Sequence, residues 1–269
     1  PLTARVFVNR VWAHSFGVPL VATSSDFGVR SDPPSHPELL DWLAVWFMDH
    51  DWSQKELHRL IVKSRTYQQT SDPAGETVAA NQRQDLQNVN LWRMNRKRLD
   101  FEALRDSLLA VAGNLDLTAG GQAVPEFSDN STPRRTLYGY IDRQNLPGLL
   151  RAFDFASPDA TSAGRFQTSV PQQALYFMNS PFAVNQAREL ARRVANEGNT
   201  ETIDRVQRMY ELAFQRKPDS QELAGSLAFI EHSAVDSPMP TASNSGTRLT
   251  QLEKLAQVLL AANEFVFID

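Results

Sequence analysis

The residues with the greatest chemical potential lie in one polar stretch of the chain, which runs into predicted helix starts. Its candidate binding residues are Asp154, Arg165, Thr168, Gln172 and Asn179. The planar fork of an arginine suits a carboxylate or a sulfate, and backbone N–H groups at a helix start also favour anions. These residue types therefore predict a site for an anion or an acidic sugar.

A structural role for the same stretch is the interpretation that we favour. Asp154 and Arg165 would then pair inside the protein and hold a long loop to the helices, with Arg165 largely out of solvent. Truncating a buried arginine leaves its partner uncompensated, so Arg165→Ala should cost roughly 3–5 kcal/mol of stability. Under the binding-site alternative, the same change should cost little stability and abolish binding of an anionic glycan.

Asn9 and His14, in the first predicted helix, complete the set of candidate binding residues. A site that joins His14, His50 or His58 to a carboxylate stays open, although capping or packing is the better interpretation of each histidine. No histidine pair has i,i+4 spacing with a third ligand nearby, so we predict no metal site. The chain has no cysteine, which excludes thiolate metal sites and c-type haem attachment within it. We expect no cofactor within this chain, and the sequence assigns no catalytic residue.

Arg93, Arg96, Lys97 and Arg98 form a short basic cluster beside Trp92. Nucleic-acid binding would require more such positions and a basic chain overall. The chain instead has 27 basic and 31 acidic residues and a formal net charge of −4. We therefore predict no nucleic-acid partner and interpret the cluster as a helix start that several ion pairs stabilise.

Helical patterns dominate the elements that must position these residues. Each predicted helix combines apolar residues at i, i+3 and i+4 with a capping signal at its start. The capping signals are Ser35-His36-Pro37-Glu38, Ser53-Gln54-Lys55-Glu56, Asp100, Ser180-Pro181, Thr200, Asp219 with Glu222, and Thr250 with Glu253. A further helix covers Leu2–Phe16, and Gly17 ends it. We expect helices to hold half of the residues or more, above the usual ~30–35%.

Three stretches interrupt the helices. Thr70–Asn90 is polar and shows no regular spacing of apolar residues, which predicts a long surface loop. Ser233–Gly246 is predicted to be mobile. The central segment 114–170 is irregular, with Thr136–Ile141 as a short strand and Leu146–Phe153 as one or two helical turns. The predicted fold is thus all-α: a multi-helical single domain with an irregular central insertion, for which a two-stranded form is the alternative.

The composition fits a globular chain that does not cross a membrane. Hydrophobic residues make up 42% of the chain, which is enough for a core. No apolar run approaches the ~18 residues that a membrane span needs. The N-terminus lacks a basic segment followed by an apolar one and opens directly on a helical pattern. We expect that the chain was cut from a larger protein and that any targeting signal lies outside it.

Several motifs occur in an order that matches one bacterial family. They include Ala4-Arg5-Val6-Phe7-Val8-Asn9-Arg10-Val11-Trp12, Ser25-Asp26-Phe27-Gly28, His36-Pro37-Glu38-Leu39-Leu40-Asp41-Trp42-Leu43, Leu91-Trp92-Arg93-Met94-Asn95-Arg96, Arg105-Asp106-Ser107-Leu108-Leu109, Pro171-Gln172-Gln173-Ala174-Leu175 and Asn263-Glu264-Phe265. The chain resembles the C-terminal planctomycete-specific domain of unknown function, the PSD-type domain of planctomycete multidomain proteins associated with cytochrome c. Members often carry a cysteine near the position of Ser162 or Ala163, which this chain lacks.

The resemblance implies an exported, extracytoplasmic protein of the periplasm or cell surface, with a haem module elsewhere in the full-length polypeptide. It also implies a link to polysaccharide utilisation, with other domains of the same polypeptide and polysaccharide as partners. Since no activity is established for the family, the first predicted function is a non-catalytic binding or structural module at the C-terminus of such a protein. The alternative is a carbohydrate-active enzyme, a hydrolase or a lyase, with its site around Asp154–Asn179.

Overall fold

The computed structural model of the chain describes residues 1–75, 78–124, 132–165, 167–198, 201–232 and 249–268. Helices hold 54% of the residues, which confirms the all-α prediction. The loop Ser233–Gly246, predicted to be mobile, lies outside the described residues. Within the described ranges, no helix is both long and apolar enough to cross a membrane.

Residue contacts divide the chain into two compact units. Unit 1 comprises Pro1–Arg98, Thr161–Arg165 and Ile268–Asp269, and unit 2 comprises Leu99–Ala160 and Phe166–Phe267. The single domain predicted over residues 1–269 stays a prediction, because compactness does not show whether the two units unfold together.

The helices described in unit 1 are α1 (Leu2–Phe16), α2 (Pro37–Asp49), α3 (Gln54–Val62) and α4 (Val78–Gln84). The first three bury apolar faces in a shared core, at whose edge the ring of Phe7 stacks on that of Phe47 with centroids 4.9 Å apart. Gly17, at φ 80°, ends α1 as predicted. Glycine suits this position because it adopts the left-handed conformation without steric cost.

The helix starts in unit 1 agree with the sequence at one cap and differ at another. Ser53 caps α3 as predicted, since its hydroxyl accepts a hydrogen bond from the Glu56 backbone N–H at 3.4 Å. The predicted cap at Ser35 is wrong, because α2 begins one residue later with His36 at the N-cap. Pro37 occupies the first helical position, where its missing N–H costs nothing and its fixed φ suits the helix.

Two predictions for the second half of unit 1 are wrong. The surface loop predicted over Thr70–Asn90 contains the seven-residue helix α4. Because none of the residues of α4 is buried, the sequence shows no regular apolar spacing there. The basic cluster of residues 93–98, interpreted as a helix start, is not helical. It ends in the two-residue strand β1 (Lys97–Arg98), which with β2 (Phe267–Ile268) makes up the small sheet of the described chain.

The helices described in unit 2 are α5 (Phe101–Ala112), α6 (Gly148–Ala152), α7 (Pro171–Asn179), α8 (Pro181–Asn196), α9 (Thr202–Phe214), α10 (Ser220–His232), α11 (Gln251–Leu260) and α12 (Asn263–Val266). Helix α8 packs against α5, α7, α9 and α11. Its fully buried stripe contains Ala187, Leu190 and Val194 at helical spacing. The apolar spacing that predicts a helix after Ser180-Pro181 therefore marks its buried face.

Two capping boxes predicted in unit 2 are confirmed. The Asp219 carboxylate accepts the Glu222 backbone N–H at 2.8 Å, and the Glu222 carboxylate accepts the Asp219 backbone N–H at 2.8 Å. Thr250 and Glu253 make the same reciprocal pair at 3.3 and 2.7 Å. Each box satisfies two backbone donors that the first helical turn leaves without a partner.

The central segment agrees with its prediction at one element and differs at another. The strand predicted over Thr136–Ile141 is wrong, because Thr136–Tyr138 forms one turn of 3-10 helix. The Asp106 carboxylate accepts both the backbone N–H and the hydroxyl of Thr136, each at 2.7 Å, which holds the backbone in a turn. The helical turns predicted over Leu146–Phe153 are confirmed by α6.

Candidate functional site

A polar cleft of about 440 Å³ lies within unit 1. Three stretches of chain supply its described lining: residues 71–73, two side chains of α4, and residues 92, 93, 95 and 96. Its principal side chains are Ser71, Asp72, Gln82, Trp92, Arg93, Asn95 and Arg96. The volume falls within the ~300–1,000 Å³ of small-molecule sites in proteins.

Asp85 organises the loop that leads into the cleft. Its carboxylate oxygens accept the backbone N–H groups of Val89 at 2.8 Å and Asn90 at 2.7 Å. These bonds lower the pKa of the Asp85 carboxyl, and the bond from Asn90 has the largest effect. The backbone carbonyl of Asp85 accepts the indole N–H of Trp92 at 3.1 Å. The indole ring is therefore held by the protein itself.

A buried amide, Asn88, fixes the next part of the loop. Its Nδ2 donates to the Arg93 carbonyl at 2.8 Å and to Asn95 Oδ1 at 2.9 Å. Asn95 Nδ2 in turn donates to the carbonyl of Phe16, the last residue of α1, at 3.0 Å. Asn88 has φ 53°, a left-handed conformation that asparagine tolerates better than most residues. The chain of amides ties the cleft wall to a helix end.

Two guanidinium groups give the cleft its charge. Arg93 lies over the Trp92 ring, with Cζ 5.5 Å from the ring centroid, and donates to the Met94 carbonyl at 3.3 Å. Arg96 donates to the Ser71 hydroxyl at 3.3 Å and lies 3.9 Å from the Asp72 carboxylate. Asp72 is the one carboxylate among the described lining residues, so this lining carries a net positive charge.

The described lining offers groups that can recognise a hydrophilic molecule. An aromatic ring, guanidinium forks and amide groups offer stacking and directed hydrogen bonds to a hydrophilic molecule. Glycoside hydrolysis uses two carboxyl groups on either side of the scissile bond, and the described lining offers one. Across the described residues, no group of three or more histidine, cysteine, aspartate or glutamate side chains can hold a metal ion.

The predicted site residues that belong to unit 1 lie outside this cleft. Asn9 is buried and binds Val21 through both backbone groups, at 2.8 and 3.1 Å, so it fixes the turn after α1. His14 is exposed, and its carbonyl accepts Lys97 Nζ at 2.7 Å. Arg165 is exposed, so the prediction that it is largely out of solvent is wrong.

Four predicted site residues belong to unit 2, and the structure brings two of them together. The Asp154 carboxylate accepts the backbone N–H of Thr168 at 2.8 Å and its hydroxyl at 2.7 Å. Gln172 and Asn179 are exposed near opposite ends of α7, about 10 Å apart along the helix axis. The predicted ion pair of Asp154 with Arg165 would join residues of different units and stays a prediction.

The sequence interpretation missed the cleft, although one signal for it was present. The motif Leu91–Arg96 is among those that carry the family resemblance, and it combines a tryptophan with two arginines and an asparagine. The turn-forming residues Asp85 and Asn88 stand just before it. What the sequence hides is that Asn95 reaches Phe16, which lies 79 residues away.

These features define a helical domain with a preformed polar cleft in its N-terminal unit. Residues 1–230 match the model of the PSD1 family, described as a protein of unknown function (DUF1553), and the chain belongs to that family. The match includes every residue of the cleft lining named above. No curated protein and no solved structure matches the chain.

Proposed function

We propose that this chain is a non-catalytic binding module and that the cleft beside Trp92 is its ligand site. The observation that carries the proposal is the fixed geometry of the lining. Asp85 holds the Trp92 indole, and buried Asn88 holds the backbone of Arg93 and the side chain of Asn95. A site that is ordered before the ligand arrives loses less conformational entropy on binding.

The chemistry of the lining indicates a hydrophilic ligand of one or two sugar rings in size. The cleft volume of about 440 Å³ accommodates such a molecule. Asn95 uses one amide N–H and one oxygen lone pair inside the protein, which leaves a donor and an acceptor for hydroxyl groups. Gln82, exposed on α4, adds a second amide to the lining.

Fluorine NMR on protein labelled with 5-fluorotryptophan tests the proposal, because each of the five tryptophans contributes one signal. Trp92→Phe identifies the Trp92 signal. We expect that saccharides from a panel of neutral and acidic mono- and disaccharides shift this signal saturably and leave the other four unchanged.

Two matched glutamine variants locate the ligand. Gln82 lines the cleft, whereas Gln84 is exposed on the same helix outside it. Gln82→Ala should weaken the binding seen at the Trp92 signal several-fold, and Gln84→Ala should leave it unchanged. A panel that leaves the Trp92 signal in place, or equal effects of the two variants, would contradict the proposal.

We extend the proposal to the protein that contains this module. The family resemblance supports an exported multidomain protein of the periplasm or cell surface, in which a separate module carries haem and polysaccharide is the source of the ligand. This chain has no cysteine for covalent haem attachment, so the haem would be bound by another domain. Cell fractionation and haem staining of the full-length polypeptide test this extension.

A further inference from the structure

We infer that the cleft selects a saccharide that carries an oxyanion, a carboxylate or a sulfate, and that Arg93 recognises this group. The inference rests on the proposed function and names the ligand class of the same site. Arg93 carries a positive charge, and its half-buried side chain lines the cleft. Among the described residues, no carboxylate lies within ion-pair distance of its guanidinium.

Two other arginines of unit 1 have a carboxylate partner. Arg5 forms an ion pair with Asp41 at 3.1 Å, and Arg59 forms one with Glu56. Arg93 instead contacts a neutral ring and a neutral backbone carbonyl. Stacking on an aromatic ring stabilises a guanidinium without neutralising it, and the planar group keeps donors for a second partner. A partly desolvated cation of this kind gains from an incoming anion.

The rest of the lining determines what the anion is attached to. Asn95 and Gln82 offer amide groups to hydroxyls, and Trp92 supplies the aromatic wall, so the partner combines a polyhydroxylated ring with a charged substituent. Carboxylate and sulfate can each accept two hydrogen bonds from the planar guanidinium group of an arginine. A uronic acid and a sulfated sugar therefore share the chemistry that Arg93 would recognise.

Three methyl glycosides that differ in one substituent test the inference: methyl glucoside, methyl glucuronide and methyl glucoside 6-sulfate. Each is titrated into the unaltered chain while the Trp92 fluorine signal is followed. We expect at least one acidic glycoside to bind about tenfold more tightly than the neutral one, as a charge-assisted hydrogen bond predicts. The preference should shrink as salt is raised from about 0.05 to 0.5 M, because salt screens the charge pair.

Arg93→Gln assigns the preference to its residue, and Arg83→Gln is the matched control, since Arg83 is exposed on α4 and does not line the cleft. The first variant should bind acidic and neutral glycosides equally, and the second should keep the preference. Arg93→Lys retains the charge without the planar fork and should keep only part of it.

The outcomes distinguish a failure of the inference from a failure of the proposed function. Equal binding of neutral and acidic glycosides at the Trp92 signal overturns the inference and leaves the binding module in place. Failure of every glycoside to move that signal overturns both. A preference that survives Arg93→Gln overturns the role of Arg93, and tighter binding of one acidic glycoside than of the other identifies the source of the anion.

Discussion

Two irregular segments, one in each unit, are held by side-chain hydrogen bonds, and a buried arginine takes part in the one in unit 2. In unit 1 the Asp85 carboxylate and the Asn88 amide fix the loop that leads into the cleft. In unit 2 the charged side chains of Arg105 and Asp106 fix the segment around Thr136. In both places side chains of neighbouring elements replace the backbone ladder that a strand or a helix would provide.

The arginines of the two segments differ in the groups that they contact. In unit 2 the buried Arg105 donates to the carbonyls of Thr132 at 2.7 Å and Arg134 at 3.2 Å, and to the Thr136 hydroxyl at 3.1 Å. Its donors hold protein backbone. In unit 1 a carboxylate and two side-chain amides do this work, and the Arg93 guanidinium lies over an aromatic ring at the cleft.

Removing the charged group from unit 2 should have the largest effect. Arg105→Ala should lower the free energy of unfolding by roughly 3–5 kcal/mol, because it removes a buried cation whose donors hold the Thr132 and Arg134 carbonyls and the Thr136 hydroxyl. Burial lowers the pKa of Arg105, but a guanidinium stays charged at neutral pH. Urea denaturation measures the loss.

Arg135→Ala is the control for this loss. Arg135 pairs with the other oxygen of the same Asp106 carboxylate at 3.3 Å, but its side chain is 48% exposed. An exposed ion pair contributes less than about 1 kcal/mol. Similar losses in the two variants would show that burial of Arg105 is not what holds the segment.

The neutral amide of unit 1 should come next. Asn88→Asp replaces the Nδ2 donor by an oxygen that faces two acceptors, the Arg93 carbonyl and Asn95 Oδ1. We expect a loss of about 2 kcal/mol, together with loss of saccharide binding at the Trp92 signal. The same change at exposed Asn145 should stay within about 0.5 kcal/mol. Loss of stability with full binding would separate Asn88 from the cleft.

A third effect concerns pH and a solvent-facing arginine of unit 2. Arg216 binds both carboxylate oxygens of Glu222, each at 2.7 Å, and also pairs with Glu264. The bonds to Arg216 lower the pKa of Glu222 from 4.5 to about 2. Because the folded pKa lies below the unfolded one, this stabilisation is present above about pH 4.5 and is lost as pH falls towards 2.

Solvent screening limits that effect to about 1 kcal/mol. Urea midpoints of the unaltered chain at pH 7 and pH 3 should differ more than those of Glu222→Gln, in which the charge is absent at both. Glu231→Gln removes a carboxylate at an exposed position of the same helix and serves as the control. An unchanged pH difference in Glu222→Gln would contradict the assignment.

The smallest effect is expected at Arg165, where the sequence predicted a large one. Since Arg165 is exposed, Arg165→Ala should change the free energy of unfolding by less than about 1 kcal/mol. Asp154→Ala should cost more, about 1–2 kcal/mol, because it removes the acceptor for two groups of Thr168. Thermal melting distinguishes the two, and a larger loss for Arg165 would restore the buried-pair interpretation.

Short-range signals account for what could be predicted. The capping boxes at Asp219 and Thr250, the cap at Ser53 and the end of α1 at Gly17 each depend on residues within one turn of chain. The helices follow from apolar spacing over the same range. The cap at Ser35 failed within that range as well, because the adjoining Pro37 sets the helix start.

The sequence by itself determined that the chain is helical, which faces of its helices are buried and which family resemblance it carries. Only the tertiary structure decided where the cleft lies, because the cleft needs three stretches of unit 1 and a hydrogen bond from the Asn95 side-chain amide to the Phe16 carbonyl across 79 residues. It likewise decided that Arg105 is buried and Arg165 exposed. Local sequence patterns predict hydrogen bonds within one helical turn. The environment of an arginine depends on backbone far away in the sequence, which such patterns do not predict.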